Sequence, residues 1–143
     1  MIHIYSDGAC HGNGQEENIG GFGYIVVIKG EEFTHYTEVV RNTTNNRMEL
    51  QGAISSLEFI EKYCKDIPSI IYTDSQYVQK GAEVWCKSWI KKDWSGVKNQ
   101  DLWKTLISIK QKTQTKIEWV RGHNGNKFNE IIDKLIQEDI SYK

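Results

Sequence analysis

Three acidic residues, Asp7, Glu49 and Asp74, stand where strands and a helix could aim them at one point. A fourth, Asp133, lies near the end of the chain. Carboxylates drawn together repel one another unless protons or cations intervene, so their chemistry depends on whether the fold gathers them. Asp7 closes the short apolar run Ile2 to Ser6, and Asp74 closes the run Ser69 to Thr73. Taken singly, each is as well explained as the cap of a following turn or helix. Glu49 belongs to Thr43-Thr44-Asn45-Asn46-Arg47-Met48-Glu49-Leu50, which joins an extended segment to a helix. Leu50, Ala53, Ile54, Leu57 and Ile60 mark one face of that helix. Asn46 and Glu49 stand in N-cap and N3 relation, so a capping box competes with a chemical role. Asp133 falls at the border of the apolar face made by Phe128, Ile131, Ile132, Leu135 and Ile136. That position suits plain surface or a reach over the sheet edge toward Asp7 and Asp74. His123 sits in the glycine-flanked loop Arg121-Gly122-His123-Asn124-Gly125. On its own it reads as a surface histidine.

The elements that must position these residues follow from periodicity. Ile2 to Ser6, Phe22 to Ile28 and Phe33 to Val40 read as strands, with Lys29-Gly30-Glu31 as a hairpin turn. Gly12 to Gly23 reads as a glycine-rich loop. The first three strands thus form an antiparallel meander. The helix beginning at Asn46 fades near Cys64, and Pro68 blocks its continuation. A strand, Ser69 to Thr73, comes next. Strand, helix, strand implies a crossover between parallel strands, which places Asp7 and Asp74 at neighbouring carboxyl ends, where ligands bind in open α/β sheets. Ser75 to Lys80 starts a helix that breaks at Gly81, and another runs from Glu83 to about Lys92. Asp101 to about Lys112 is helical, Lys116 to Val120 is the last strand, and a final helix closes the chain. The expected architecture is α/β: a five-stranded mixed sheet, a three-strand meander followed by two parallel strands, flanked by helices.

A chain of 143 residues suits one domain with a proper core. The net charge of −1 gives no global attraction to nucleic acid, so any such attraction must come from a local patch. Lys87, Lys91, Lys92 and Lys98 cluster beside Trp85, Trp89 and Trp94. Aromatics interleaved with lysines can track a phosphate backbone, although the tryptophans suit a small local core equally well. Cys10, Cys64 and Cys86 are odd in number and lack a CxxC pair. That argues against a disulfide framework and fits a reducing cytosol. No secretion signal at the start and no membrane span are expected, so a cytoplasmic protein is expected; a monomer is expected as well.

Asp7-Gly8-Ala9-Cys10, Thr43 to Leu50, Thr73-Asp74-Ser75-Gln76-Tyr77-Val78 and Trp119-Val120-Arg121-Gly122-His123 together resemble type 1 ribonuclease H. Asn129-Glu130 with Asp133 resembles its last helix, and the stretch Trp85 to Trp103 resembles the basic protrusion of many bacterial members. The resemblance spans about Ile2 to Gln137. It implies an endonuclease that hydrolyses the RNA strand of RNA–DNA hybrids and leaves 5′-phosphate and 3′-hydroxyl ends. It carries metal-binding carboxylates onto Asp7, Glu49, Asp74 and Asp133 and a mobile catalytic histidine onto His123. RNA-strand contacts fall on Asn13, Asn45, Asn46 and Gln76, and the DNA-strand phosphate pocket on Thr44 and Asn99. The loop after Asn13 departs from the family pattern: it lacks a proline and gains Glu16 and Glu17. No amino-terminal hybrid-binding domain is expected ahead of Met1.

The physical chemistry agrees. Hard oxygen ligands favour Mg²⁺ or Mn²⁺ over zinc, and two ions about 3.5–4 Å apart can clamp a scissile phosphate. Asn and Gln amides both donate and accept, as reading 2′-hydroxyls in a shallow minor groove requires. Two alternatives stand beside this expectation. A binding module that has lost catalysis is disfavoured by the complete carboxylate set. A metal nuclease acting on DNA, of the resolvase or transposase kind, is disfavoured by the paired asparagines.

Overall fold

The computed structural model describes residues 1–15, 17–122 and 126–143. Glu16 and His123 therefore lie outside the described residues. Five strands form one sheet: β1 (Ile2–His11), β2 (Ile19–Ile28), β3 (Glu31–Arg41), β4 (Ser69–Thr73) and β5 (Thr115–Trp119). Their order is β3-β2-β1-β4-β5. The first three are antiparallel, and β4 and β5 run parallel to β1, as the crossover rule requires.

One expectation fails in a useful way. β1 does not stop at Ser6. It continues to His11 because β2 begins earlier than Phe22, and the supposed loop residues Gly20 to Gly23 pair with Cys10 to Asp7. The parallel ladder between β1 and β4 nevertheless ends at Tyr5 and Tyr72. Beyond that pair the two strands part. Asp7 stays in the antiparallel ladder while Asp74 turns away after Thr73, so a gap opens between them.

The sheet is covered on both faces. Ile4, Val26 and Ile71 pack under α1 (Asn45–Tyr63) and α4 (Gln100–Lys110), against Leu50, Leu57, Ile60, Trp103 and Leu106. Ile25 and Val27 meet Ile132, Ile136 and Ile140 of α5 (Lys127–Ser141) on the other face. Burial of these aliphatic side chains is the main favourable term in forming both layers.

α1 starts one residue earlier than its apolar pattern suggests. Its N-cap is Thr44, whose hydroxyl accepts from the Arg47 backbone N–H at 3.1 Å. The capping box of Asn46 with Glu49 is therefore not formed, and the Glu49 carboxylate is left for another purpose. α1 also lies unusually close to β1. A Cβ on Gly8 would stand 2.3 Å from the Met48 carbonyl carbon, and one on Gly52 would stand 2.6 Å from the Asp7 carbonyl oxygen. Two glycines, one on each element, let the backbones touch and carry Glu49 to the level of Asp7.

Gly81 does not break its helix either. α2 (Gln76–Lys80) passes through a π-helical turn, Gly81–Trp85, into α3 (Cys86–Lys91). Gly81 keeps right-handed helical angles. It is small because the buried Trp103 indole occupies the place of a side chain, 2.1 Å from an added Cβ. Glu83 in the wide turn pairs with Lys110 at 2.8 Å and also accepts the Ile117 backbone N–H at 3.4 Å, tying this helical arm to α4 and to the edge strand. Trp89 and Trp94 pack against the core, with Trp89 and Trp103 rings 4.9 Å apart, whereas Trp85 stays exposed. The tryptophans are thus mainly a local core. In the last strand Ile117 is buried and Trp119, two residues further on, is exposed.

Candidate active site

Asp7, on β1, alternates with Tyr5 and Ala9, which pack in the α5 layer, so its side chain shares their face. Glu49 comes from α1 on the opposite face, and Asp74 from the end of β4. They meet in the gap where β1 and β4 part. One oxygen from each carboxylate lies within 4.8 Å of the others. Asp7 is 4 % exposed and Glu49 7 %, so two acidic groups are nearly dry. Asp133 comes from α5 and stands against Asp7, close enough for its charge to act on that carboxyl. It adjoins the three-residue cluster without completing it.

The electrostatics of this group are unfavourable as it stands. Burial first, and the Asp74 charge second, push the Asp7 carboxyl well above the usual carboxylate range; the Gly8 backbone N–H, donating to Oδ1 at 2.9 Å, offsets part of this. Burial likewise raises the Glu49 carboxyl well above its usual range, with Asp7 and Asp74 adding to it. Glu49 Oε1 is buried with no hydrogen-bond partner among the described residues. An orphaned carboxylate oxygen facing two more carboxylates needs a proton or a cation. Among the described residues the donor set contains only oxygen, with no His or Cys in the cluster, which fits Mg²⁺ or Mn²⁺ and not a soft metal.

Asp74 is held from behind. The Trp119 indole N–H donates to the Asp74 carbonyl at 3.1 Å, and the Val120 N–H donates to the Thr73 carbonyl at 2.8 Å. Gly122 lies so near that a Cβ there would be 2.8 Å from Asp74 Oδ2. The segment leading to His123 therefore passes directly beside the cluster. Trp119 and Gly122 were not singled out for these duties by sequence. A contact from a side chain to a distant carbonyl leaves no mark in a sequence pattern.

The amide-bearing residues divide. Asn13, Thr44, Asn45, Asn46, Lys98 and Asn99 line one shallow groove together with Gly14. Asn13 Oδ1 accepts the Asn45 backbone N–H at 2.9 Å, joining the loop after β1 to the start of α1. Glu49 follows Asn45 and Asn46 by one helical turn, so the groove leads to the carboxylates. Gln76 is apart from it, exposed at the first residue of α2. Lys87, Lys91 and Lys92 are exposed on α3 and just after it, away from the carboxylates in sequence. A broader groove between α1 and strands β2 and β3, lined by Tyr24, Tyr36, Phe59 and Tyr63, contains none of the four acids.

The RNase H family model matches residues 1–141. The chain belongs to the RNase H family. Ribonuclease H from Orientia tsutsugamushi (strain Boryong) is 45 % identical over 139 residues, covering 94 % of this chain and 79 % of the relative. Ribonuclease H from Citrobacter koseri is 41 % identical over 156 residues, covering all of this chain and 96 % of the relative. Among solved structures, LC9-RNase H1, described as a type 1 RNase H with the type 2 active-site motif, superposes with a TM-score of 0.81. It is 30 % identical, and the match covers 99 % of this chain and 72 % of that one. The five-stranded sheet and its helices are thus the ribonuclease H fold, and the chain is a nuclease of that family.

Proposed function

We propose that this ribonuclease H-family nuclease cuts the RNA strand of RNA–DNA hybrids internally, leaving 5′-phosphate and 3′-hydroxyl ends. We assign Asp7, Glu49, Asp74 and Asp133 as the residues that hold two divalent ions, Mg²⁺ or in its place Mn²⁺. The observation that carries the reading is the meeting of three carboxylates, two of them buried and one oxygen unpartnered, at the point where β1 and β4 part. Bound there, divalent metal would supply a lowered water pKa for attack on phosphorus and charge stabilisation for the leaving 3′ oxygen.

The chain's own residues supply position. β1, β4 and α1 fix the carboxylates before any ligand arrives, so little is left to reorganise when charge develops. Asn45 and Asn46, one turn upstream of Glu49, carry amides that both donate and accept and so suit 2′-hydroxyls. Asn13 and Gln76 are assigned to the same strand. Thr44 and Asn99 line the same groove as those amides, and we assign them to a phosphate of the DNA strand. His123, outside the described residues, is assigned to proton movement or product release.

The test is a cleavage assay on end-labelled RNA–DNA hybrid, RNA duplex and DNA duplex, each with Mg²⁺, Mn²⁺ or chelator. The hybrid's RNA strand should be cut with either metal and nothing cut with chelator. Replacing the 2′-hydroxyls around the cleavage site by hydrogen should abolish cutting. Cleavage of the DNA duplex at a comparable rate would make this a DNA nuclease instead.

A further inference from the structure

Asn99 is held more firmly than a surface asparagine needs to be. It adopts left-handed backbone angles, φ 58°, immediately before α4, a conformation asparagine tolerates better than most residues. Its side-chain amide is gripped at both ends. Nδ2 donates to the Tyr77 hydroxyl at 3.1 Å, and Oδ1 accepts from Arg47 Nη1 at 3.2 Å. Each grip is itself anchored. The Tyr77 oxygen also accepts from the indole N–H of Trp103 at 2.9 Å, and Trp103 is fully buried. Arg47 forms a two-pronged pair with Asp101, at 3.1 and 2.8 Å. That pairing raises the guanidinium and lowers the Asp101 carboxyl to about 2, so the pair stays charged at any pH near neutrality.

The chemistry of these partners sets which way round the amide lies. Guanidinium can only donate, so the amide oxygen must face Arg47 and the nitrogen must face Tyr77. An amide nitrogen carries two hydrogens. One goes to Tyr77, and the second remains for whatever enters the groove beside Thr44 and Lys98. If the amide turned over, an oxygen would face the groove and repel an anion.

We infer that Tyr77 and Arg47 are positioning residues that lock the Asn99 amide with its nitrogen toward the groove, making that end of the groove a donor-only seat for a nucleic-acid phosphate. The inference rests on the proposed hybrid-cleaving function and adds to it the device that fixes the polarity of this contact. Arg47 neutralises Asp101 and orients Asn99 without itself touching the phosphate. Neither residue meets the reacting atoms, so removing either should weaken substrate binding and spare the chemical step.

The experiment measures hybrid cleavage with Mg²⁺ for wild type, Tyr77→Phe, Arg47→Lys, Asn99→Ala, Asn99→Asp and the double variant Tyr77→Phe/Asn99→Ala. Tyr77→Phe should raise KM severalfold with kcat nearly unchanged, because binding is lost equally from ground and transition states. Asn99→Asp, which puts a carboxylate where the amide nitrogen stood, should raise KM more than Asn99→Ala. The decisive comparison is the double variant. If Tyr77 acts through Asn99, the double variant has the KM of Asn99→Ala alone, since contacting residues are not additive. Arg47→Lys keeps the charge opposite Asp101 but loses the fork, and should shift KM in the same direction without unfolding the chain.

Multiplicative KM effects in the double variant, or an unchanged KM in Tyr77→Phe, would overturn the inference. A fall in kcat with constant KM would do so too, since it would mean that loss of the Trp103 partner had disturbed the active site. These outcomes are separate from failure of the function itself, which would appear as wild-type protein that does not cut the hybrid.

Discussion

At the scale of single residues, the carboxylate cluster makes two demands that can be measured. Asp7→Asn and Asp74→Asn each remove a charge from the proposed metal cage at constant volume. Hybrid cleavage should fall by at least about 10³-fold, taking loss of a charge-stabilising group as worth several kcal/mol, while circular dichroism stays native. Near-normal cleavage by either pure variant would remove that residue from the mechanism. The second demand concerns pH. Asp7 and Glu49 have ordinary values of 3.8 and 4.5, and the fold raises both. Between those values and the raised ones, the folded protein keeps protons that the unfolded chain has released. Metal-free stability must therefore fall as pH rises through that window and level off above it. Melting curves in chelator, taken from about pH 4 upward, should show the decline for wild type and a shallower one for Asp7→Asn. Added Mg²⁺ should recover most of the loss at neutral pH, because a ligand that binds only the folded form stabilises it.

At the scale of elements, the contact between α1 and β1 places Glu49 against Asp7, and Gly52 is its test. Mid-helix glycine costs about 1 kcal/mol relative to alanine, so helix propensity alone predicts that Gly52→Ala stabilises the chain. The packing predicts the reverse. The new methyl would lie 2.6 Å from the Asp7 carbonyl oxygen, which is backbone and cannot swing aside; overpacking of this kind costs about 1–3 kcal/mol or more. The second effect is larger. Gly52→Ala should lower the denaturation midpoint, and by lifting α1 off β1 it should also reduce cleavage. A stabilised, fully active variant would show that the close approach does not set the site. The helical arm built from α2, the π-turn and α3 is held differently, through the Glu83–Lys110 pair and the packing of Trp103 against Gly81. That explains why the glycine there allows contact and does not end the helix.

At the scale of the whole molecule, a net charge of −1 must still hold a polyanion. Lys87, Lys91 and Lys92 project from the arm as exposed side chains, and Lys98 lines the groove beside Asn99. Each phosphate neutralised on duplex DNA contributes a slope of roughly −0.9 in log affinity against log salt. Changing Lys91 and Lys92 together to Ala should raise KM for hybrid and flatten its salt dependence, with turnover at saturation little changed. The measurement is initial rate across substrate concentrations at several salt concentrations. An unchanged salt slope would make these lysines a solvated face only.

The sequence by itself determined the sheet's strand directions and the acids worth watching. Those follow from apolar runs of strand or helix period, a proline that stops a helix, and the rule that a strand–helix–strand crossover joins parallel strands. Asp7 and Asp74 were legible as neighbours because a crossover leaves few places for β4, although Asp7 proved to lie inside β1 and not at its end. Other features were decided only in three dimensions. The end of β1 depended on pairing with Gly20 to Gly23, a stretch whose composition reads as loop. Glu49 was separated from a capping role by Thr44, which caps α1 in its place. The sides from which the acids enter the gap, Asp7 with the α5 face and Glu49 from α1, depend on where two parallel strands part. Likewise the grip of Tyr77 and Arg47 on Asn99 joins residues 22 and 52 positions apart in the chain. Periodicity records which face of its own element a residue occupies; it holds no record of which distant backbone that face meets, because that contact is made by packing.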